Sequence, residues 1–341
     1  MGIRTRRAFR LSIVAALALA CGYGLKLQLP YLAPMLAIIL TAKPSPPPGP
    51  MKLLLLVIAV TATLTSATLL IPYLEYYPFA GILIVSLVMY GSFHLSVVQG
   101  KEAVGHFIAT GFSLVPIAGS VSSTLANLVI ESLILGVVIA VVCQWLVYPF
   151  FPEDPEPENT EKSVNPREGN RSWNALRGTL IVMPAYLVVL TNPGLYLPLV
   201  LKSIVLGQQS SVINVRKSGH ELLGATILGG FFAVLLWWFL SLSVSLWMFF
   251  LWALIFMTFI SGKIYGVLET RFPASFWQSV STTMMILLGA AVMDSENGKD
   301  VYQAFLTRVS LFLLVSLYAW FAVYVLDRLS GINSEKETAP C

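Results

Sequence analysis

Apolar residues run in long blocks along this chain, and the blocks are broken by short polar or proline-rich turns. A helix that crosses a bilayer needs about 20 predominantly apolar residues. Blocks of that kind cover 9–27, 51–71, 79–98, 103–119 and 122–150, with a shorter run ending near Ala42 between the first two. After an interval the pattern returns: a block opening near Ala175, a short run between Pro198 and Gly207, then 220–240, 243–260, 272–292 and 301–326. The interval, 151–171, carries four prolines, many charges and no periodicity, which predicts a solvated linker.

The two sets answer each other. Ala175-Leu176-Arg177 matches Ala8-Phe9-Arg10, and Leu195-Tyr196-Leu197-Pro198 matches Pro30-Tyr31-Leu32-Ala33. The pattern therefore predicts an all-α polytopic membrane protein of two six-helix repeats, about twelve spans. Residues 1–150 form the first repeat, 151–172 a cytoplasmic linker, 173–329 the second repeat and 330–341 a cytoplasmic tail. An even number of spans per repeat makes the two repeats parallel, related by an axis along the membrane normal. The Lys43–Lys52 segment, with five prolines, reads as a tight extended turn.

Composition agrees with spans. Hydrophobic residues make up 57% of the chain and charged residues 11%, against about 25% charged in an average soluble domain. What remains outside the blocks is too little for a soluble domain. With twelve spans and a cytoplasmic N-terminus, seventeen Lys and Arg residues fall inside and three (Lys26, Lys299 and Arg308) outside, Lys202 lying within a span. That is the asymmetry of the positive-inside rule, and it accounts for the net charge of +4 without nucleic acid. Arg6-Arg7 before an apolar run resembles a twin-arginine export signal. The match at Ala175–Arg177, where no signal can stand, favours a retained first span. Its small residues Ser12, Ala16, Ala20 and Gly24 offer a smooth face for close helix packing. Cys21, Cys143 and Cys341 form no disulfide framework.

Several chemistries have no foundation here. Gly100-Lys101-Glu102 and Gly262-Lys263-Ile264 lack the flanking residues of a phosphate-binding loop. His94, His106 and His220 lack metal-ligand spacing. No nucleophile and base are paired, so neither an enzyme nor a cofactor is predicted.

Ionisable residues at membrane depth carry more information, because each costs at least about 2.5 kcal/mol there unless paired, neutralised or wet. Glu131 lies about ten residues into its block and is the candidate proton site. Aligning the ends of the sixth and twelfth blocks sets Arg308 opposite it, which suggests that the two meet or flank one pathway. Equally, Arg308 can snorkel to the surface and Glu131 bond a neighbouring helix. Lys202, in the short eighth run, is a candidate stop for an anion; partial unwinding of that run would instead bring it to the surface. At the cytoplasmic mouth Arg216, Lys217, His220 and Glu221 form a charged helix face next to Gln208 and Gln209, either collecting anions or anchoring the topology, and Glu102 with His106 form either a protonatable pair near pH 7 or a solvated helix end. Tyr31, Tyr196, Trp237, Trp238, Trp247 and Trp252 are interface or core aromatics, and stack on a substrate only if they face a pathway.

Arg10-Leu11-Ser12 on a small-residue helix, Pro30-Tyr31-Leu32-Ala33-Pro34, and Glu221-Leu222-Leu223-Gly224-Ala225-Thr226-Ile227-Leu228-Gly229-Gly230 together resemble the fusaric acid resistance and aromatic acid exporter superfamily of bacterial inner-membrane proteins. The chain is similar to a compact branch of unassigned function, since its linker is far shorter than the cytosolic domain of larger members. The resemblance implies proton-driven efflux of small organic or aromatic acids across a bacterial inner membrane, with lipids around the chain and a periplasmic membrane-fusion adaptor as partner. Homo-oligomers are compatible with it. A passive anion channel and a non-transporting assembly subunit are the competing readings.

Overall fold

The computed structural model describes residues 2–43, 45–153, 171–210, 215–296, 298 and 300–337. Side chains are described within these ranges except at 97, 98, 102, 171, 194, 195, 209, 210, 215–220, 296 and 327–337. The linker beyond residue 153, the last four residues, and the side chains of Glu102, Arg216, Lys217 and His220 lie outside the described residues.

Among the described residues the elements are helical: α1 (Ile3–Gly24), α2 (Leu32–Thr41), α3 (Pro50–Ala67), α4 (Ile71–Tyr76), α5 (Pro78–Val98), α6 (Glu102–Val121), α7 (Ser123–Val147), α8 (Arg171–Thr191), α9 (Pro193–Ser210), α10 (Val215–Leu242), α11 (Leu246–Ile264), α12 (Ala274–Glu296) and α13 (Val301–Glu337). Ten helices, α3 and α4 counting as one through a 3-10 turn, are long and apolar enough to cross a membrane, and two more are short and apolar. The chain is a multi-pass membrane protein.

Local chemistry sets the helix ends. Ser122 and Ser245 cap α7 and α11 by accepting hydrogen bonds from the amides of Leu125 and Met248. Pro50, Pro72 and Pro78 fall in first turns, where their missing N–H groups are not needed. For that reason Pro72 does not end the third block, which stays helical through Tyr76. Gly266, at φ +65°, permits the turn after α11. At the other end of the chain, α13 runs on through Glu337, past the expected end near Leu326.

Contacts sort the helix ends onto two faces. On the near face, Arg7 and Arg10 of α1 meet Glu153 after α7. Gln144 at the end of α7 donates to the Thr41 hydroxyl at the end of α2, and Tyr265 after α11 donates to the Ala42 carbonyl. On the far face, Tyr23 of α1 packs on Phe249 of α11, and Asp294 at the end of α12 binds Arg308 near the start of α13. Tyr76, Tyr77, Phe79, Trp247 and Tyr302 are exposed at the far face, as an aromatic belt at a membrane interface requires. Exposed Leu55, Ile58, Leu83, Leu87, Leu314 and Phe321 supply the apolar girdle between the faces.

Packing between the two sides of the chain follows an exchange. α1 packs on α11 while α8 packs on α5, and α2 packs on α12 while α6 packs on α9. Helices α6 and α12 are the most buried of the long ones. Close approach depends on small residues. A Cβ on Gly178 would lie 3.1 Å from both the Gly207 carbonyl and the Phe93 ring, which locks α8 between α9 and α5. A Cβ on Gly289 of α12 would collide with Tyr31 at the start of α2. In α1, Ser12 and Ala16 of the predicted smooth face are buried, with Ala15 and Ala18 beside them, whereas Gly24 is exposed.

Gly289→Ala should therefore lower stability by about 1–3 kcal/mol through overpacking, read as a reduced midpoint of thermal unfolding in detergent. An unchanged midpoint would mean that α12 does not depend on close contact with Tyr31.

Candidate functional site

Lys202 lies halfway along α9, a helix surrounded by α5, α6, α8, α12 and α13. It is fully buried, and the helix is continuous through it, so the unwinding that would expose it does not occur. Its Nζ donates to Thr283 Oγ1 at 2.6 Å and to Ser279 Oγ at 3.3 Å, both on α12. Ser279 and Thr283 are four residues apart and so share one helix face. The Thr283 hydroxyl spends its own proton on the Ser279 carbonyl at 2.6 Å, which leaves its oxygen as an acceptor for the lysine. Behind Thr283, α10 comes so close that a Cβ on Gly229 would sit 2.8 Å from the threonine Cβ.

An ammonium has three N–H donors and no acceptor. Here it finds two hydroxyls and, among the described residues, no carboxylate. Hydroxyl oxygens satisfy donors but do not cancel a charge, and an unpaired charge in a dry interior is costly. The arrangement can hold a neutral amine, or an ammonium beside an anion that comes from outside the chain.

Arg308 is the contrasting case. It is buried and makes a two-pronged ion pair with Asp294, Nη2 donating to Oδ1 at 3.1 Å and Nη1 donating to Oδ2. The sequence expectation set Arg308 opposite Glu131. In the structure Arg308 takes Asp294 as its partner, while Glu131 is exposed on the outward face of α7 with Thr124 and Asn127. Snorkelling to the surface does not describe Arg308 either. Tyr31 is buried near this pair, and burial raises its phenol above the ordinary range, partly opposed by the Arg308 charge.

Near-face polar groups form two clusters. Arg6 donates to the Pro152 carbonyl, Arg7 and Arg10 bind Glu153, and Phe9 stacks on Phe151, so the start of α1 latches the chain as it leaves α7. Burial pushes the Tyr265 phenol up to about 12, opposed by Arg10 and Arg7. In the second cluster His106 of α6 shares a 2.9 Å hydrogen bond with Gln208 of α9, and both His106 and Glu221 are buried. Of the expected mouth residues these two are therefore inside the protein. An open recess of about 670 Å³ on the outward face of α3, lined by Val57, Ile58, Thr61 and Thr65 among others, holds no ionisable side chain and is far from this chemistry.

Asp294, Ser279, Thr283, Glu153 and Tyr265 were not singled out from sequence. Asp294 sits beside the polar turn Ser295-Glu296-Asn297-Gly298 and reads as part of it. A usable signal existed for α12: Ser275, Ser279 and Thr283 recur every four residues, a hydroxyl stripe at helical spacing.

Asp294→Asn should destabilise the protein by about 3 kcal/mol or more, since it leaves Arg308 charged and buried. Replacing both residues, Asp294→Leu with Arg308→Met, should restore most of the loss in a thermal melt; equal loss in both variants would count against an ion-pair role. Tyr265→Phe should cost about 1 kcal/mol. Because the folded phenol ionises above its ordinary 10.0, the deficit against the parent protein is full below about pH 10 and disappears as pH rises through about 12. A deficit that persists above that pH would contradict the hydrogen-bond assignment.

Residues 7–147 match the model of a family described as a protein of unknown function, DUF2955, and the match covers the stretch from α1 to α7. No curated protein matches the chain. No solved structure matches it.

Proposed function

We propose that this protein is a secondary transporter of small organic anions, with Lys202, Ser279 and Thr283 as its central binding site. The observation that carries this reading is a lysine at mid-membrane, fully buried, with hydroxyl partners and no carboxylate among the described residues. A structural lysine at that depth is best satisfied by a carboxylate, as Arg308 is by Asp294. A site that must bind an anion and release it again has reason to keep the lysine unpaired.

In this reading the chain crosses the membrane twelve times as two parallel six-helix repeats. Support comes from the order of long and short helices, with α2 and α9 each the second apolar helix of its set. The exchanged packing of α1 on α11 against α8 on α5, and of α2 on α12 against α6 on α9, is what a twofold axis along the membrane normal produces. The near face, with Arg4, Lys52, Lys101, Lys263 and Arg271, is cytoplasmic by the positive-inside rule, and the start of α1 and the end of α13 are on that side. The resemblance to aromatic acid exporters supplies outward transport of organic or aromatic acids across a bacterial inner membrane, linked to protons and assisted by a periplasmic adaptor. The outward face of Thr124, Asn127 and Glu131 on α7 favours contact with that adaptor or a second copy, because a bare polar stripe in lipid is unfavourable.

Lys202→Met, reconstituted in liposomes, should lower uptake of radiolabelled 4-hydroxybenzoate above the protein-free rate at least about tenfold, since the pairing charge is gone. Its melting midpoint should hold or rise, because an unpaired buried charge has been removed. Full transport by a well-folded Lys202→Met protein would remove Lys202 from the pathway. Accumulation above equilibrium in the presence of an imposed gradient separates a transporter from a passive channel.

A further inference from the structure

We infer that the Lys202 site takes up a proton and an anion together, so that the two cross the membrane in the same direction. The inference rests on the transporter reading and follows from the partners Lys202 has. Four states of the site exist. With the site empty, an ammonium is left among hydroxyls with no countercharge, at the cost that any unpaired charge bears in a dry interior. With the amine neutral and an anion present, the anion stands alone at the same cost. The two remaining states, neutral and empty or protonated and loaded, carry no net charge when the anion is monovalent. These are the states in which helices can rearrange around a buried site.

Other ionisable side chains do not alter the balance. Among the described side chains on the helices that pack against α9 these are Tyr90 and His94 on α5, His106 on α6, Arg177 and Tyr186 on α8, Asp294 on α12, and Tyr302, Arg308, Tyr318 and Tyr324 on α13, with Glu221 buried on α10 behind α12. Asp294 lies eleven residues along α12 from Thr283, about 16 Å at 1.5 Å per residue, and is bound to Arg308. Arg177 adjoins Gly178, which packs against Gly207, five residues or about 8 Å along α9 from Lys202. A guanidinium stays protonated, so Arg177 supplies no coupling proton. His106 acts at Gln208, about 9 Å along the helix, and is the alternative carrier of the proton. Tyr90, Tyr186, Tyr302, Tyr318, Tyr324 and His94 place no fixed negative charge near the lysine, and Glu221 precedes Gly229, the α10 residue that faces Thr283, by eight residues or about 12 Å along the helix.

Coupling of this kind changes the energetics. A carboxylate site at which substrate and proton compete exchanges them in opposite directions, and an inward proton gradient then drives export. A lone lysine at which they bind together does the reverse. The inward proton gradient drives uptake, and export proceeds only while the acid's own outward gradient is the larger.

The full-length chain, reconstituted in liposomes with a pH dye inside and the membrane potential held at zero by potassium and valinomycin, tests this with an inward gradient of benzenesulfonate. Benzenesulfonate stays ionised at all working pH values and does not cross lipid as a neutral acid. Protein-dependent entry should acidify the lumen by one proton per anion. Lys202→Met should lower both signals at least about tenfold. Lys202→Arg, always charged, should keep anion-for-anion exchange while losing net entry and acidification. His106→Gln should keep the one-to-one ratio. Anion entry without acidification, or with alkalinisation, overturns the coupling and leaves the transporter reading in place. So does loss of the ratio in His106→Gln together with its retention in Lys202→Met. No protein-dependent anion movement overturns both.

Discussion

The structure turns on what it costs to keep an ammonium away from water without a carboxylate beside it. Arg10, Lys202 and Arg308 are three of the buried cations, and two of them are paired with a carboxylate. Arg7 and Arg10 share Glu153 at the near face, and Arg308 holds Asp294 at the far face. Between them Lys202 has Ser279 and Thr283, which accept its hydrogen bonds and leave its charge standing. The chain has acidic residues in both halves and brings none of the described ones to Lys202. A site of that composition is incomplete by one negative charge, and a solute can supply it.

Packing explains how such a site is kept dry. α2 and α9 are short, begin at proline-containing turns and insert beside the two most buried long helices, α12 and α6. Gly207, Gly229 and Gly289 let neighbouring helices approach where a methyl group would collide, and at Gly178 a methyl group would be tightly squeezed. Close helix contact of this kind is how membrane proteins gain van der Waals energy without a hydrophobic drive between helices. The ends are tied by polar links. Tyr265 and Gln144 hold the end of α2 at the near face, and Tyr31 packs on Gly289 at the far face.

Much of the fold was legible because lipid imposes a simple length rule on apolar blocks. The short α2 was legible too, from Pro30 and Pro34 at its start, whereas α9, expected to open at Pro198, begins at Pro193 and carries Pro198 inside it. Lys202 stood out because a lysine inside an apolar run is expensive at any depth. Its partners did not, since serine and threonine are ordinary in such helices and only contact between α9 and α12 gives Ser279 and Thr283 a role. Arg308 was visible for the same reason as Lys202, whereas Asp294, a turn away from the polar loop, was hidden by position. Glu131 shows the opposite limit. Its depth could be counted along α7, but its outward face was marked only by Thr124 and Asn127, which recur with it at i, i+3 and i+7 among leucine, valine and isoleucine.

A structure of the protein with 4-iodobenzoate bound would test the central claim most directly, because iodine can be located by its anomalous scattering. The carboxylate should lie within hydrogen-bond distance of Lys202 Nζ and the hydroxyls of Ser279 and Thr283, with Lys202→Met lacking that density. Iodobenzoate bound only elsewhere, with Lys202 unchanged among its hydroxyls, would contradict the account.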